Sequence, residues 1–165
     1  MNRWRRLLSY IIWPVKARDC LEAAAWLRRG YRIRSTQEID ACLLEAYRRA
    51  KELLRRVKNT REEIVLLNEM RVIAKHLGLE EFEEIRRGLR ELYRIRCRKR
   101  CYSPERCALV FILCGGAKKE LRLIARRDNP WSEIALYLLH GFMPTECRLR
   151  KLIESLYPGG GPKQC

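Results

Sequence analysis

Apolar residues recur along most of this chain with the 3.6-residue period of amphipathic helices. Ile39, Leu43, Ala46, Ala50, Leu53, Leu54 and Val57 share one side of a helix predicted from Thr36 to about Lys58. Arg48, Lys51 and Arg55 fall on another side. Ser35-Thr-Gln-Glu38 has capping-box spacing and launches this helix. Thr60-Arg-Glu-Glu63 repeats the spacing and opens a helix that ends at Gly78. That helix is apolar almost all round: Ile64, Val65, Leu66, Leu67, Met70, Val72, Ile73 and Leu77. A helix without a wide polar face is usually buried, so it is expected at the centre of the fold or at a subunit contact.

Shorter signals surround this pair. Leu7 to Trp13 form a short amphipathic helix that Pro14 interrupts. A second helix runs from about Val15 to Arg29 and stops at Gly30, a usual left-handed C-terminal cap. The residues from Arg29 to Arg34 are a basic, extended connection. From Glu80 to about Arg96, Phe82, Ile85, Leu89 and Leu92 share one helical face. Ser103-Pro104-Glu105 introduces an apolar run, Ala108 to Leu113, whose length fits a buried strand, and Gly115-Gly116 breaks it. Further helices are expected over Ala117 to Arg127, from Asn129-Pro130 to about Gly141, and from Pro144 to about Tyr157. No internal repeat is present. The pattern predicts an all-α fold, a single compact bundle of seven to nine helices with at most a minor strand pair near 107–114. A basic amphipathic arm at 1–14 precedes a helical domain at 15–157, and 158–165 read as a flexible Gly/Pro tail.

Charge changes this picture. Lys and Arg number 36 against 20 Asp and Glu, a formal net charge of +16, and 27 of the cations are Arg. Like charges repel in a compact chain, so folding does not call for such an excess. Arg matches phosphate with a planar bidentate fork, which Lys cannot do. The excess is densest at Arg86, Arg87, Arg90, Arg94, Arg96, Arg98, Lys99 and Arg100, where Glu91 is the lone acid. Arg87, Arg90, Arg94 and Arg98 lie opposite the apolar face, whereas Arg96 and Arg100 swing back onto it, so the helix is expected to end or bend there. Glu80, Glu81, Glu83 and Glu84 are placed to pair with the start of this stripe, which on the bland reading is a solvated face. Its far end has no such acids. Arg3, Arg5 and Arg6, the Arg28–Arg34 turn, and Arg48, Lys51 and Arg55 complete the candidate phosphate contacts. Trp4, Tyr31, Tyr93 and Tyr102 sit beside cations, as base-stacking residues or as half-buried anchors.

Ser, Thr, Asn and Gln together number only 14. Few amides with many Arg, Glu and Leu is the balance of heat-adapted proteins, although a GC-rich genome also enriches Arg. The eight cysteines fit that setting, because intracellular disulfides occur in hyperthermophiles. Cys97, Cys101, Cys107 and Cys114 form the densest group, open to zinc, to disulfides or to free buried thiols, with spacings of no standard zinc finger. The basic, apolar start mimics a signal peptide but lacks a cleavage region and is too short to span a bilayer, so export by a signal peptide is not expected.

No Ser-His-Asp, paired-carboxylate or HExxH arrangement is present, and no cofactor motif. His76 and His140 each lie in the last turn of a predicted helix, where the helix terminus favours them. No enzyme activity is expected. The sequence points to a nucleic-acid-binding protein that contacts phosphates, duplex favoured, and self-associates. In type and size the chain resembles the basic, helical major capsid proteins of filamentous archaeal viruses, which wrap genomic DNA in helical arms. The resemblance rests on the Arg-rich helices around Arg48–Arg56 and Arg86–Arg100, the basic start Arg3–Arg6 and the amide-poor composition. It implies a virion structural protein that coats or packages duplex DNA, in the virion or the cytoplasm. The alternatives are a small DNA- or RNA-binding regulator, and a module that docks on an acidic protein partner.

Overall fold

A computed structural model of the chain describes residues 13–57, 59–89, 91, 122, 125–126 and 132–158. These residues are mostly helical. Six helices are found among them: α1 (Cys20–Arg28), α2 (Gln37–Arg56), α3 (Thr60–Leu77), α4 (82–89), α5 (Ser132–His140) and α6 (Cys147–Glu154). The expected count of seven to nine is not reached among the described residues, and no strand occurs there. The helix signal at 7–13, the strand signal near 107–114 and most of 117–127 lie outside them, as do residues 159–165 of the tail.

Helix α3 is the centre. It packs against α1, α2 and α6, as its nearly continuous apolar surface requires. Ile64, Val65, Leu66, Met70, Val72, Ile73 and Ala74 are buried on it. Helix α2 covers α3 with the face read from the sequence: Ile39, Leu43, Ala46 and Ala50 are buried, and Leu53, Leu54 and Val57 pack at the edge. Tyr47 joins that face. Ile85 and Leu89 bring α4 onto the same core.

Two helix starts shift by one residue from the sequence reading. Thr36, not Ser35, caps α2 by accepting from the Ile39 amide at 3.3 Å. Ser35 instead donates to Asp40. Asn59, not Thr60, caps α3 by accepting from the Arg61 amide at 2.9 Å. Ser and Thr, or Asn and Thr, compete as neighbours at each start, and capping preference separates them by little.

The first described helix differs more. It begins at Cys20, not Val15, because Asp19 accepts from the Glu22 amide and caps it there. Val15 is instead extended and bridges Ile33 in parallel, with Val15 N donating to Arg32 O and Arg34 N donating to Val15 O. A β-branched residue suits that role better than a helix interior. At the other end the reading holds. Gly30 has φ of 86°, its amide donates to Leu27 O, and the Tyr31 amide donates to Trp26 O. These two bonds are the Schellman closure.

Cys20 and Cys42 form a disulfide that ties α1 to α2, with Cα atoms 6.1 Å apart. Cys147 is also disulfide-bonded. Cys97, Cys101, Cys107 and Cys114 lie outside the described residues. Among the described residues no group of His, Cys, Asp or Glu is arranged to hold a metal ion, and no helix is long and apolar enough to cross a membrane.

Gly141 follows α5 with φ of 69°, and a Cβ there would lie 2.4 Å from the carbonyl carbon and oxygen of Arg28. Gly78 has nearly the same φ, 66°, with open space around it. Gly78→Ala should therefore lose about 1 kcal/mol, the conformational penalty alone. Gly141→Ala should lose clearly more, because two backbones must also separate. Denaturant unfolding of the two variants side by side measures the difference.

Candidate functional site

One face of the molecule is built on a buried charge network. The Arg28 side chain is 2% exposed and Glu69 is fully buried. Arg28 NH1 donates to Glu69 Oε1 at 2.6 Å. Tyr157 donates to the same oxygen at 2.6 Å, and Tyr137 donates to Oε2 at 2.9 Å. The carboxylate thus collects a charge-assisted bond and two phenols from three other parts of the chain. Burial works against the Arg28 charge, but the Glu69 carboxylate overrides it and holds the guanidinium above its ordinary range. Burial first, and the Glu69 charge second, push both phenols well above their ordinary values. Arg28 Nε is buried without a hydrogen-bond partner, so this network is not fully satisfied.

Arg28 also opens the cationic connection that follows α1. A pocket of about 660 Å³ lies between that connection and the last two turns of α3. Leu27, Ile33, Val72 and Pro14 supply apolar lining, and Tyr31 adds a ring. Arg32, Arg34, Arg71, Lys75 and His76 supply nitrogen groups. None of the described lining residues is acidic.

The local structure explains this sorting. The bridge to Val15 holds residues 32–34 extended, so alternate side chains point to opposite sides. Ile33 goes into the core at 5% exposure, and Arg32 and Arg34 are left exposed. On α3, Arg71 and Lys75 are one turn apart and share a face. Arg71 Nε and NH2 donate to the neutral Asn68 amide oxygen. Arg32, Arg34 and Lys75 form no ion pair among the described residues. His76 closes one corner, 2.9 Å from Asp40, which also accepts from Ser35. Beside the pocket, Trp26 and Tyr31 meet edge to face at 5.2 Å. The Arg29 guanidinium lies over Trp26 and over the exposed ring of Phe142, at 5.7 and 5.1 Å.

The cations predicted from sequence divide differently. Arg48, Lys51 and Arg55 are exposed on α2, and each has a carboxylate: Arg48 with Glu45 at 4.0 Å, Lys51 with Glu81 at 3.8 Å, Arg55 with Glu52 at 3.8 Å. Arg86 has Glu83 at 3.8 Å. Arg87 is exposed with no ion pair among the described residues. The α2 face is thus salt-bridged and solvated, whereas Arg87 is the one described member of the stripe of Arg87, Arg90, Arg94 and Arg98. Arg90, Arg94, Arg96, Arg98, Lys99 and Arg100 lie outside the described residues, and so do Arg3, Arg5 and Arg6. Trp4, Tyr93 and Tyr102 lie outside as well.

Arg32, Arg34 and Tyr31 belong to the turn that the sequence marked. Arg71 and Lys75 did not stand out in sequence. Their signal was a pair of cations one turn apart in the mostly apolar second half of α3. Glu69 was also missed, although a carboxylate inside such a helix calls for a partner.

No family model matches the chain, and neither a curated protein nor a solved structure is found similar to it.

Removing the Glu69 charge leaves Arg28 buried and unpaired. Glu69→Gln should lose about 3–5 kcal/mol of stability in denaturant unfolding. Alkali provides a second measurement. Tyr137 and Tyr157 are held neutral in the fold but ionise at about pH 10 in the unfolded chain. Their contribution is complete below about pH 10 and is lost as pH rises towards the folded values. Above about pH 10 the unfolding free energy should fall by about 1.4 kcal/mol per pH unit for each phenol. Tyr157→Phe should remove one phenol's share of that slope.

Proposed function

We propose that this protein binds nucleic acid through its phosphates and does no chemistry on it. The observation that carries the reading is the pocket whose described lining has no acid and whose exposed cations, Arg32, Arg34 and Lys75, have no carboxylate partner within the described residues. A surplus of +16 over the whole chain supports the same partner. Unneutralised cations on one surface draw a polyanion and release its condensed counterions, whereas cations already beside carboxylates gain little by it. The α2 face is therefore the weaker half of the interface, and the 29–35 connection with the end of α3 is the stronger half.

The narrower role follows the composition. We propose a structural protein that coats or packages nucleic acid, self-associates along it and contacts it without regard to base sequence. The stripe from Arg90 to Arg100 and the basic start at Arg3, Arg5 and Arg6 are proposed to add phosphate contacts to those of the pocket. The arginines could read guanine edges, but no zinc-finger, RNP or leucine-zipper pattern is there to aim them, which makes a site-selective regulator the lesser reading.

Binding to a random duplex at several salt concentrations tests the proposal. With about six phosphates neutralised, log K should fall against log salt with a slope near −5. Reversing Arg32, Arg34 and Lys75 to Glu should flatten the slope by about 3 and leave the thermal midpoint unchanged, since all three are exposed. Reversing Arg48 and Arg55 should flatten it by less. A salt-independent affinity sinks the reading.

A further inference from the structure

Three cations border one recess from two sides. Arg32 and Arg34 come from the connection after α1, and Lys75 comes from α3. Each is exposed and has no ion pair among the described residues. None of the described lining residues is acidic. Arg28 lines the same recess, and its Nε is buried without a hydrogen-bond partner. A solvated cationic face needs neither the enclosure nor the second wall.

The walls are set before any ligand arrives. Val15 N donates to Arg32 O and Arg34 N donates to Val15 O, so the backbone of both arginines is pinned. The Arg28–Glu69 ion pair ties the end of α1, where that connection begins, to the middle of α3. The spacing between the walls is therefore part of the fold. Cations fixed in this way repel one another until an anion comes between them, and the anion need not order them first.

Size and charge then select the ligand. The recess, about 660 Å³, lies within the range of sites that take one small molecule. A duplex is far too wide to enter and meets these cations only from outside. A single phosphodiester brings one charge to three cations. Two or three phosphoryl groups joined in a row bring charge to match the cations within the same space.

We propose that the recess is a site for a compact oligophosphate, a di- or triphosphate group held between Arg32 and Arg34 on one side and Lys75 on the other. The group is free or carried on a small organic molecule, for which Leu27 and Val72 offer apolar contact. This goes beyond the nucleic-acid reading: it draws on the same cations and does not depend on that reading. Because the cations are shared, the oligophosphate displaces nucleic acid from this part of the surface.

Calorimetric titration of the full chain tests the site, without divalent metal and at one ionic strength. The probes are orthophosphate, inorganic triphosphate and a nucleoside triphosphate. Inorganic triphosphate should bind once per chain and at least about tenfold tighter than orthophosphate, the gain expected from further charge-assisted bonds. It should also raise the thermal midpoint and compete with a duplex. Arg34→Ala and Lys75→Ala should each weaken it about tenfold and leave the midpoint of the ligand-free protein unchanged. Arg48→Ala, on the salt-bridged α2 face, should weaken neither. Equal affinity for the nucleoside triphosphate means that phosphoryl groups alone are recognised, and a higher one adds the carrier to the site.

Orthophosphate binding as tightly as triphosphate overturns the inference. So do several triphosphates per chain weakened equally by Arg48→Ala, since net charge alone then collects the anion. A loss confined to Arg34→Ala overturns the two-walled site. Should triphosphate fail while the duplex keeps its salt slope, this inference falls by itself. Should the duplex fail while one triphosphate binds, the nucleic-acid reading falls and the site stands.

Discussion

The Glu69 carboxylate fixes how three other parts of the described fold sit against α3. It sits in the middle of α3 and binds Arg28 at the end of α1, Tyr137 on α5 and Tyr157 just beyond α6. Apolar packing alone would let those elements slide against α3, since dispersion has little directionality. A buried charge with three directed bonds permits one arrangement. Such a pair adds little net stability, because desolvation of both ions offsets most of their attraction. Its effect is on geometry. Arg28 is held where its carbonyl meets Gly141, and the basic connection leaves from that fixed point.

Two populations of cations follow from where the acids fall. On α2, Glu45 and Glu52 stand one turn from Arg48, Arg49, Arg55 and Arg56, and each carboxylate serves two guanidinium groups. Between residues 29 and 35 there is no acid at all. The sheet-like alternation there turns Ile33 inward and both neighbouring arginines outward. On α2, sequence density of arginine is thus a poor guide to electrostatic surplus. What matters is whether a carboxylate lies within one helical turn or across a packed neighbour, as Glu81 does for Lys51 and Glu146 does for Arg61.

Periodicity made much of this architecture legible. The apolar face of α2, the burial of α3 and the Gly30 closure of α1 follow from local spacing, and the structure has each of them. Val15 was misread as helical because apolar residues near a helix start carry no mark of an extended partner 18 residues away, and Ile33 is that partner. The Glu69 network was out of reach for the same kind of reason. Its partners are 41, 68 and 88 residues distant, and no window of local pattern spans them. The pocket lies between these cases. Tyr31, Arg32 and Arg34 were visible as a basic turn, but the opposing Arg71 and Lys75 come from a helix that reads as pure core. Only the packing of α3 against α1 brings the two sets to one opening.

The Cys20–Cys42 bond encloses the whole cationic connection, since residues 29–35 lie between its ends. Closing a loop of that size restricts the unfolded chain by about 3 kcal/mol. It also changes what a protease can do. The connection is exposed at Gly30, Arg32 and Arg34, and its arginines are natural cleavage points. A single cut there would leave both fragments sulfur-linked, migrating as one species until a reductant is added. This exposed basic stretch can therefore be nicked without shedding a helix.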